Sequence, residues 1–288
     1  SRPLLFGLRF LADRGHVAAL DSSWLDRVLA PSALRSHQPV GAVLVQPTYN
    51  GYAVDPAPLI DRLHQQGLPV LVDEAHGSHF LPGVDPHLPA SALRAGADLV
   101  VHSLHKSSTG LGQTAVLWHQ GQLVDPDTVA RSLGWLQTTS PSALLLASCE
   151  ASLADWTTRA GLRRLHRRLD QARALADQLR NHQLPLLATD DPLRLIWHTA
   201  AAGISGLDAD EWLMTRGLVG ELPEPGCLTF CLGMAPRPRM RRTMLRHWSG
   251  LVQHLGQPTP LPSFSAPPIP LITSPAMDCG QAWCAPSR

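Results

Sequence analysis

Three short, unbroken apolar runs constrain this chain most: AVLVQ at 42–46, PVLVD at 69–73 and DLVVHS at 98–103. Each has the length of a strand, and none alternates apolar with polar residues as a strand with one wet face does. Runs of that kind belong inside a sheet covered on both sides. The intervals between them read as helices. Asp55 and Pro56 suit a helix cap and first turn, an apolar-periodic stretch runs to Gln66, and Gly67 stops it. A second helix is expected at 89–95, ended by Gly96. Strand–helix–strand–helix–strand predicts an α/β fold, a mainly parallel sheet with helices on both faces. Ligands of such sheets bind beyond the carboxyl ends of the strands. The residues to examine are therefore Thr48 and Tyr49, Asp73 to His76, and Ser103 to Lys106.

The second half has a different rhythm. An Arg-rich helical pattern runs from 142 to about 180, with Leu162, Leu165, Leu169, Leu175 and Leu179 on one stripe and a break expected near Gly161. Strand (193–198), helix (208–216), strand (227–232) and helix (240–255) follow and read as a smaller C-terminal α/β unit. Seven prolines lie in 258–275, which predicts an extended or disordered tail. The organisation expected is a large domain over 1–150, a connector helix with a small α/β domain over 151–256, and a Pro-rich tail over 257–288.

Composition narrows the function classes. Lys+Arg 24 against Asp+Glu 23 leaves a net charge of +1, so there is no field to hold nucleic acid or an acidic membrane. No apolar run approaches the roughly 20 residues of a membrane span, and no signal segment opens the chain, so a cytoplasmic protein is expected. The five cysteines, Cys149, Cys227, Cys231, Cys279 and Cys284, form no CxxC and no zinc-ligand frame. They are expected to be reduced, buried thiols, with no metal site. Cys227 and Cys231 share one side of the run CLTFC.

One of the 24 basic residues is lysine, Lys106, and the other 23 are arginine. Arginine can replace lysine as a surface charge, but a guanidinium cannot serve as a nucleophilic amine near neutral pH. Asp73 ends one apolar strand and SLHK ends the next. Adjacent strands lie about 4.8 Å apart, so carboxylate and amine can share a pocket. An amine that forms an imine with an aldehyde cofactor, beside an acid that pairs with a pyridine nitrogen, is what pyridoxal phosphate (PLP) chemistry needs. A plain ion pair at the strand ends meets the same spacing. The DEAH within VDEAH (72–76) would suit a nucleotide-hydrolysing helicase only with a phosphate loop upstream, and there is none.

The segments PTYNG, VDEAHGSHF, GAD-x-VVHSLHKSSTGLGQTA and TTSP, in this order from about residue 41 to 152, closely resemble the Orn/Lys/Arg decarboxylase major-domain family, group III of the PLP decarboxylases of fold type I. The stretch LDADEWLMTRGLVGELPEPGCLTFCLG resembles its small domain more weakly. The resemblance implies that Lys106 is the Schiff-base lysine and Asp73 the partner of the pyridine nitrogen. It places Ala75 under the cofactor ring, His76 at the ring's side, and Ser103 and His105 on the phosphate. Thr138 matches a phosphate contact given to the other subunit of a dimer. Gln113 matches the motif without an assignable role. A homodimer or higher oligomer is implied, as is a part in polyamine metabolism.

The family's upstream phosphate loop and ring-stacking histidine do not precede Ser1, a further C-terminal segment does not follow Arg288, and an aromatic common after TTSP is Ala143 here. The chain is thus expected to be the central part of a longer enzyme or a partial gene product, and alone to bind PLP weakly. The implied reaction is decarboxylation of arginine, lysine or ornithine, with Glu221 a candidate contact for the distal cation. A non-catalytic paralogue and another fold type I enzyme, an aminotransferase or desulfurase, are the competing readings.

Overall fold

The computed structural model describes residues 5–21, 23, 25, 26, 29, 39–267 and 272–273. Cys279, Cys284 and most of the tail lie outside them. The three apolar runs form β4 (Ala42–Val45), β5 (Val70–Asp73) and β6 (Leu99–Ser103), which are parallel to one another. β7 (Ala115–His119) adds to β6 antiparallel, so the sheet order is β4-β5-β6-β7. The fold class is α/β, with a mostly parallel sheet. Helix α1 (Ala57–His64) starts where Asp55 accepts the Ala57 N–H at 3.1 Å. It packs Leu59, Ile60 and Leu63 on the sheet face of Leu44, Val70, Val72 and Val100, together with Leu20 and Leu25. On the opposite face Val43 and Val45 are exposed, while Leu71, Asp73, Leu99 and Val101 are half-buried.

The helix expected at 89–95 is a correction: only a turn forms there, closed by Ala95 N–H to Ser91 O at 3.0 Å. Buried Glu74 accounts for this. It accepts from the Ser91 hydroxyl at 2.6 Å and from the Ala92 N–H at 2.9 Å, and Gly96 at φ 93° turns the chain into β6.

Two exposed helices follow, α3 (Pro126–Leu136) and α4 (Ala143–Asp155), after the short α2 (Leu104–Ser107) beyond β6. The break near Gly161 is real. Helix α5 (Arg159–Asn181) begins afresh with the Thr158 hydroxyl accepting the Gly161 N–H, and a Cβ on Gly161 would lie 1.9 Å from Asp155 O. Leu165, Leu169 and Leu179 of α5 are buried, with Leu162 and Leu175 half-buried beside them.

They meet a second sheet of order β10-β11-β9-β8, made of Leu222–Glu224, Cys227–Cys231, Arg194–Trp197 and Leu186–Leu187. Helices α6 (Gly206–Met214) and α7 (Met240–Leu255) close its core around Trp197, Leu213, Leu228, Phe230 and Leu251. The two units are tied at the turn after β4. A Cβ on Gly51 (φ 85°) would lie 2.6 Å from Arg194 Cγ, and Gly51 O accepts from the N–H groups of Asp190 and Asp191. Within the proline-rich stretch, Ile272–Thr273 (β12) pairs with β1 (Leu5–Phe6), and Phe264 N–H reaches Ala12 O at 2.7 Å. No helix among the described residues is long and apolar enough to cross a membrane.

Candidate active site

The carboxyl ends of the three parallel strands each contribute one side chain to a single cluster. Tyr49 follows β4, His76 follows β5, and Lys106 sits on α2 directly after β6. Lys106 Nζ lies 3.2 Å from His76 Nε2 and 5.8 Å from the centre of the Tyr49 ring, and the Tyr49 and His76 rings are 4.2 Å apart. Helix α2 is held from below. Leu104 and Ser107 are buried, and Ser107 Oγ shares a hydrogen bond of 3.0 Å with Ser78 Oγ. Lys106 and His105 are left exposed.

The second unit supplies a residue that sequence reasoning missed. Arg194, at the head of β9 and only 3% exposed, donates from Nη2 to His76 Nδ1 at 2.9 Å. A guanidinium can only donate, so Nδ1 is an acceptor and the ring proton sits on Nε2, facing Lys106. Across the 3.2 Å separation only the uncharged form of the Lys106 amine could accept a hydrogen bond from that N–H, and the uncharged amine is also the form that attacks a carbonyl carbon. Burial, followed by the Arg194 charge, lowers the His76 pKa from 6.5 to about 4, so the ring stays neutral at ordinary pH. Arg194 is balanced by Asp191, fully buried, whose Oδ2 lies 3.7 Å from Nη1. Burial pushes the Asp191 carboxyl up, but His79 at 3.0 Å and Arg194 outweigh it and hold it below its usual range. The signal was present in the sequence: an arginine opening the otherwise apolar run RLIW has no place on a buried strand without a partner.

Asp73 is half-buried at the end of β5. The Ala75 N–H donates to its Oδ1 at 3.0 Å, and Oδ2 has no partner among the described residues. No bond joins Asp73 to Lys106. Ala75 and Ser103 are each 8% exposed and flank the two strand ends. His105 commits its Nδ1–H to Thr114 O at 2.9 Å, so its Nε2 can donate only when the ring carries a second proton. Gln113 takes the left-handed conformation (φ 75°) where the chain turns into β7. Thr138 lies in the exposed loop between α3 and α4, accepts from Ser140 N–H, and touches none of the residues around Lys106. Glu74, the acid of DEAH, faces away: it holds Ser91, Ala92 and His102, whose Nε2 donates to it at 2.7 Å.

The sequence profile described as Orn/Lys/Arg decarboxylase, major domain, matches residues 14–195. An uncharacterized protein of Bacillus subtilis (strain 168), YaaO, is 33% identical over 215 residues, covering 72% of this chain and 44% of that protein. An arginine decarboxylase of the same strain is 34% identical over 196 residues, covering 64% of this chain and 39% of its own length. The chain thus spans about two fifths of the length of these curated relatives. Among solved structures, the constitutive lysine decarboxylase of E. coli superposes with a TM-score of 0.68 at 18% identity, over 83% of this chain and 41% of that one. That likeness is one of fold.

Proposed function

The chain belongs to the Orn/Lys/Arg decarboxylase family, and on that premise we propose that it forms the PLP-binding core of an enzyme that removes carbon dioxide from arginine, lysine or ornithine. The observation that carries the reading is the single lysine of the sequence, presented at the carboxyl edge of a parallel sheet to a histidine whose proton faces it. PLP, when bound, supplies a carbonyl carbon for a primary amine and a ring that accepts the electron pair left by the departing carboxylate.

The residues suit such a group. Asp73 offers an unpartnered carboxylate oxygen to a ring N–H, and the small Ala75 beside it leaves space for a flat ring. Ser103, and His105 when doubly protonated, are donors for a phosphate. Lys106 is the amine that would hold the aldehyde. His76, kept neutral, holds a proton at Nε2 beside that amine and keeps a second positive charge out of the site. Residues 1–150 are proposed as the central part of the cofactor-binding domain, 151–256 as connector and small domain, and 257–288 as a Pro-rich tail.

We also propose a homodimer built on α3 and α4. Trp135 and Leu136 are 84% and 87% exposed, Leu144 and Leu146 are exposed too, and Thr138 lies between these pairs. An apolar surface of that kind calls for a partner, and a second copy seated there would carry Thr138 to the neighbouring site.

The test is to add PLP to the purified chain, reduce with borohydride and locate the adduct by mass spectrometry, with release of carbon dioxide from the three amino acids followed in parallel. An adduct on the Lys106 peptide is expected. A folded chain without that adduct would overturn the proposal.

A further inference from the structure

A second cluster lies away from Lys106, where the hairpin of β2 (Phe10–Leu11) and β3 (His16–Val17) packs on the tight turn between β10 and β11. The close approach is set by Gly15 (φ 79°), where a Cβ would sit 2.8 Å from Pro225 Cβ, and by Gly226 N–H donating to Arg14 O at 3.1 Å. Glu224 and Cys227 are direct partners across that turn, and His16 is laid against both. His16 Nδ1 is 2.8 Å from Glu224 Oε2, Cys227 Sγ is 3.3 Å from His16 Nδ1, and Sγ is 3.3 Å from Glu224 Oε2. His16 and Cys227 are buried, while Glu224 is half-buried and open to solvent.

We propose that His16, Glu224 and Cys227 bind one Zn²⁺ ion, with water as the fourth ligand. A tetrahedral zinc has Zn–S near 2.3 Å and Zn–N and Zn–O near 2.0 Å, which sets S···N and S···O at about 3.5 Å and N···O at about 3.3 Å. The triangle observed needs an expansion of about 0.2 Å on its two sulfur edges and about 0.5 Å on the third. One thiolate, one imidazole and one carboxylate form a borderline-soft set that selects zinc over magnesium or calcium.

The charges also balance. Among the described residues Glu224 has no arginine partner, and the nearby Arg14 pairs with Asp13 at 2.7 Å. A divalent ion with one carboxylate and one thiolate is neutral overall. Binding breaks the Cys227 S–H bond and releases one proton to solvent for each ion. Neighbouring side chains hold the ligands in place. Tyr52 Oη is 3.1 Å from His16 Nε2, the ring nitrogen that faces away from the ion, and Asn50 donates to Glu224 Oε2, the ligating oxygen, at 2.6 Å. The ion would fasten the N-terminal hairpin to the second sheet, a structural role separate from the chemistry at Lys106.

The probes are Co²⁺ and Zn²⁺ alone, added to the full chain. One Co²⁺ per chain is expected, with a thiolate-to-cobalt charge-transfer band that Zn²⁺ removes. The band should persist in Cys149→Ser and Cys231→Ser and be lost in Cys227→Ser and His16→Gln, with folding followed by circular dichroism. X-ray absorption of the zinc-loaded wild-type chain decides the matter even where a variant does not fold. One sulfur near 2.3 Å with three nitrogen or oxygen neighbours near 2.0 Å supports the site. A shell without sulfur, or with two, overturns it, as does a cobalt band that survives Cys227→Ser.

Discussion

Replacing Arg194 with methionine tests the link between the two units most directly. Methionine keeps most of the length of the side chain and removes the charge. In the wild type the guanidinium makes one hydrogen bond to His76 at 2.9 Å and lies 3.7 Å from the fully buried Asp191 carboxylate. Without it, Asp191 keeps His79 and the Leu193 N–H, both on Oδ1, while Oδ2 faces no donor. Removing one partner of a buried pair leaves an uncompensated charge, which costs about 3–5 kcal/mol. For a chain of this size a urea slope of about 3 kcal/mol/M turns that into a midpoint lower by roughly 1–1.7 M at unchanged slope. The assay is a urea titration followed by far-ultraviolet circular dichroism. Pairing Arg194→Met with Asp191→Leu removes both charges and should restore more than half of the loss. A midpoint that falls by less than about 0.3 M in the single variant would refute the reasoning, because the Asp191 charge would then not depend on Arg194.

Lys106→Arg should abolish the borohydride-trapped PLP adduct and lower decarboxylation by roughly a thousandfold or more. Because Lys106 is exposed, its melting curve should stay within about 0.5 kcal/mol of wild type. Glu74→Ala strands the Ser91, Ala92 and His102 donors and should cost about 3–5 kcal/mol in denaturant unfolding; activity lost at unchanged stability would contradict its structural role. Trp135→Glu with Leu136→Glu should convert a dimer to monomer in multi-angle light scattering while leaving the circular dichroism spectrum intact. The fold itself should weaken in acid through His76. The unfolded chain binds a proton near pH 6.5 and the folded site only near pH 4, so this contribution is complete above about 6.5 and is lost as pH falls towards 4. At about 1.36 kcal/mol per pH unit the ceiling is roughly 3 kcal/mol, reduced by solvent at the edge of the site. His76→Gln should flatten that part of a stability–pH curve.

The parallel sheet was legible because its strands are continuous apolar runs and its helix α1 carries its own punctuation, Asp55 and Pro56 at the start and Gly67 in the left-handed region at the end. The expected helix at 89–95 failed because a tertiary group, Glu74, takes up the Ser91 and Ala92 donors, and no local pattern records that. Helix α3 was illegible for another reason. None of its residues is buried, so its apolar side has no counterpart within the chain to give it a period to read against. His16 lies more than 200 residues from Glu224 and Cys227 in the sequence, and only the packing of two hairpins brings it to them.

The motif VDEAH shows how local and tertiary information divide within five residues. Asp73 and Glu74 are neighbours, and alternation along a strand end sends them to opposite sides. Asp73 ends on the side where Leu71 and Val101 are half-buried and keeps an unpartnered oxygen. Glu74 turns into the interior and satisfies three donors there, which anchors the strand end that carries its neighbour. His76, after one further turn of backbone, comes back to Lys106. The sequence motif therefore places a carboxylate and an imidazole at the site and spends the intervening acid on holding them still. What it lacks is the sense of the His76 proton. Arg194, 118 residues away, supplies that by occupying Nδ1, and so decides that the one lysine of the chain meets an N–H at its amine.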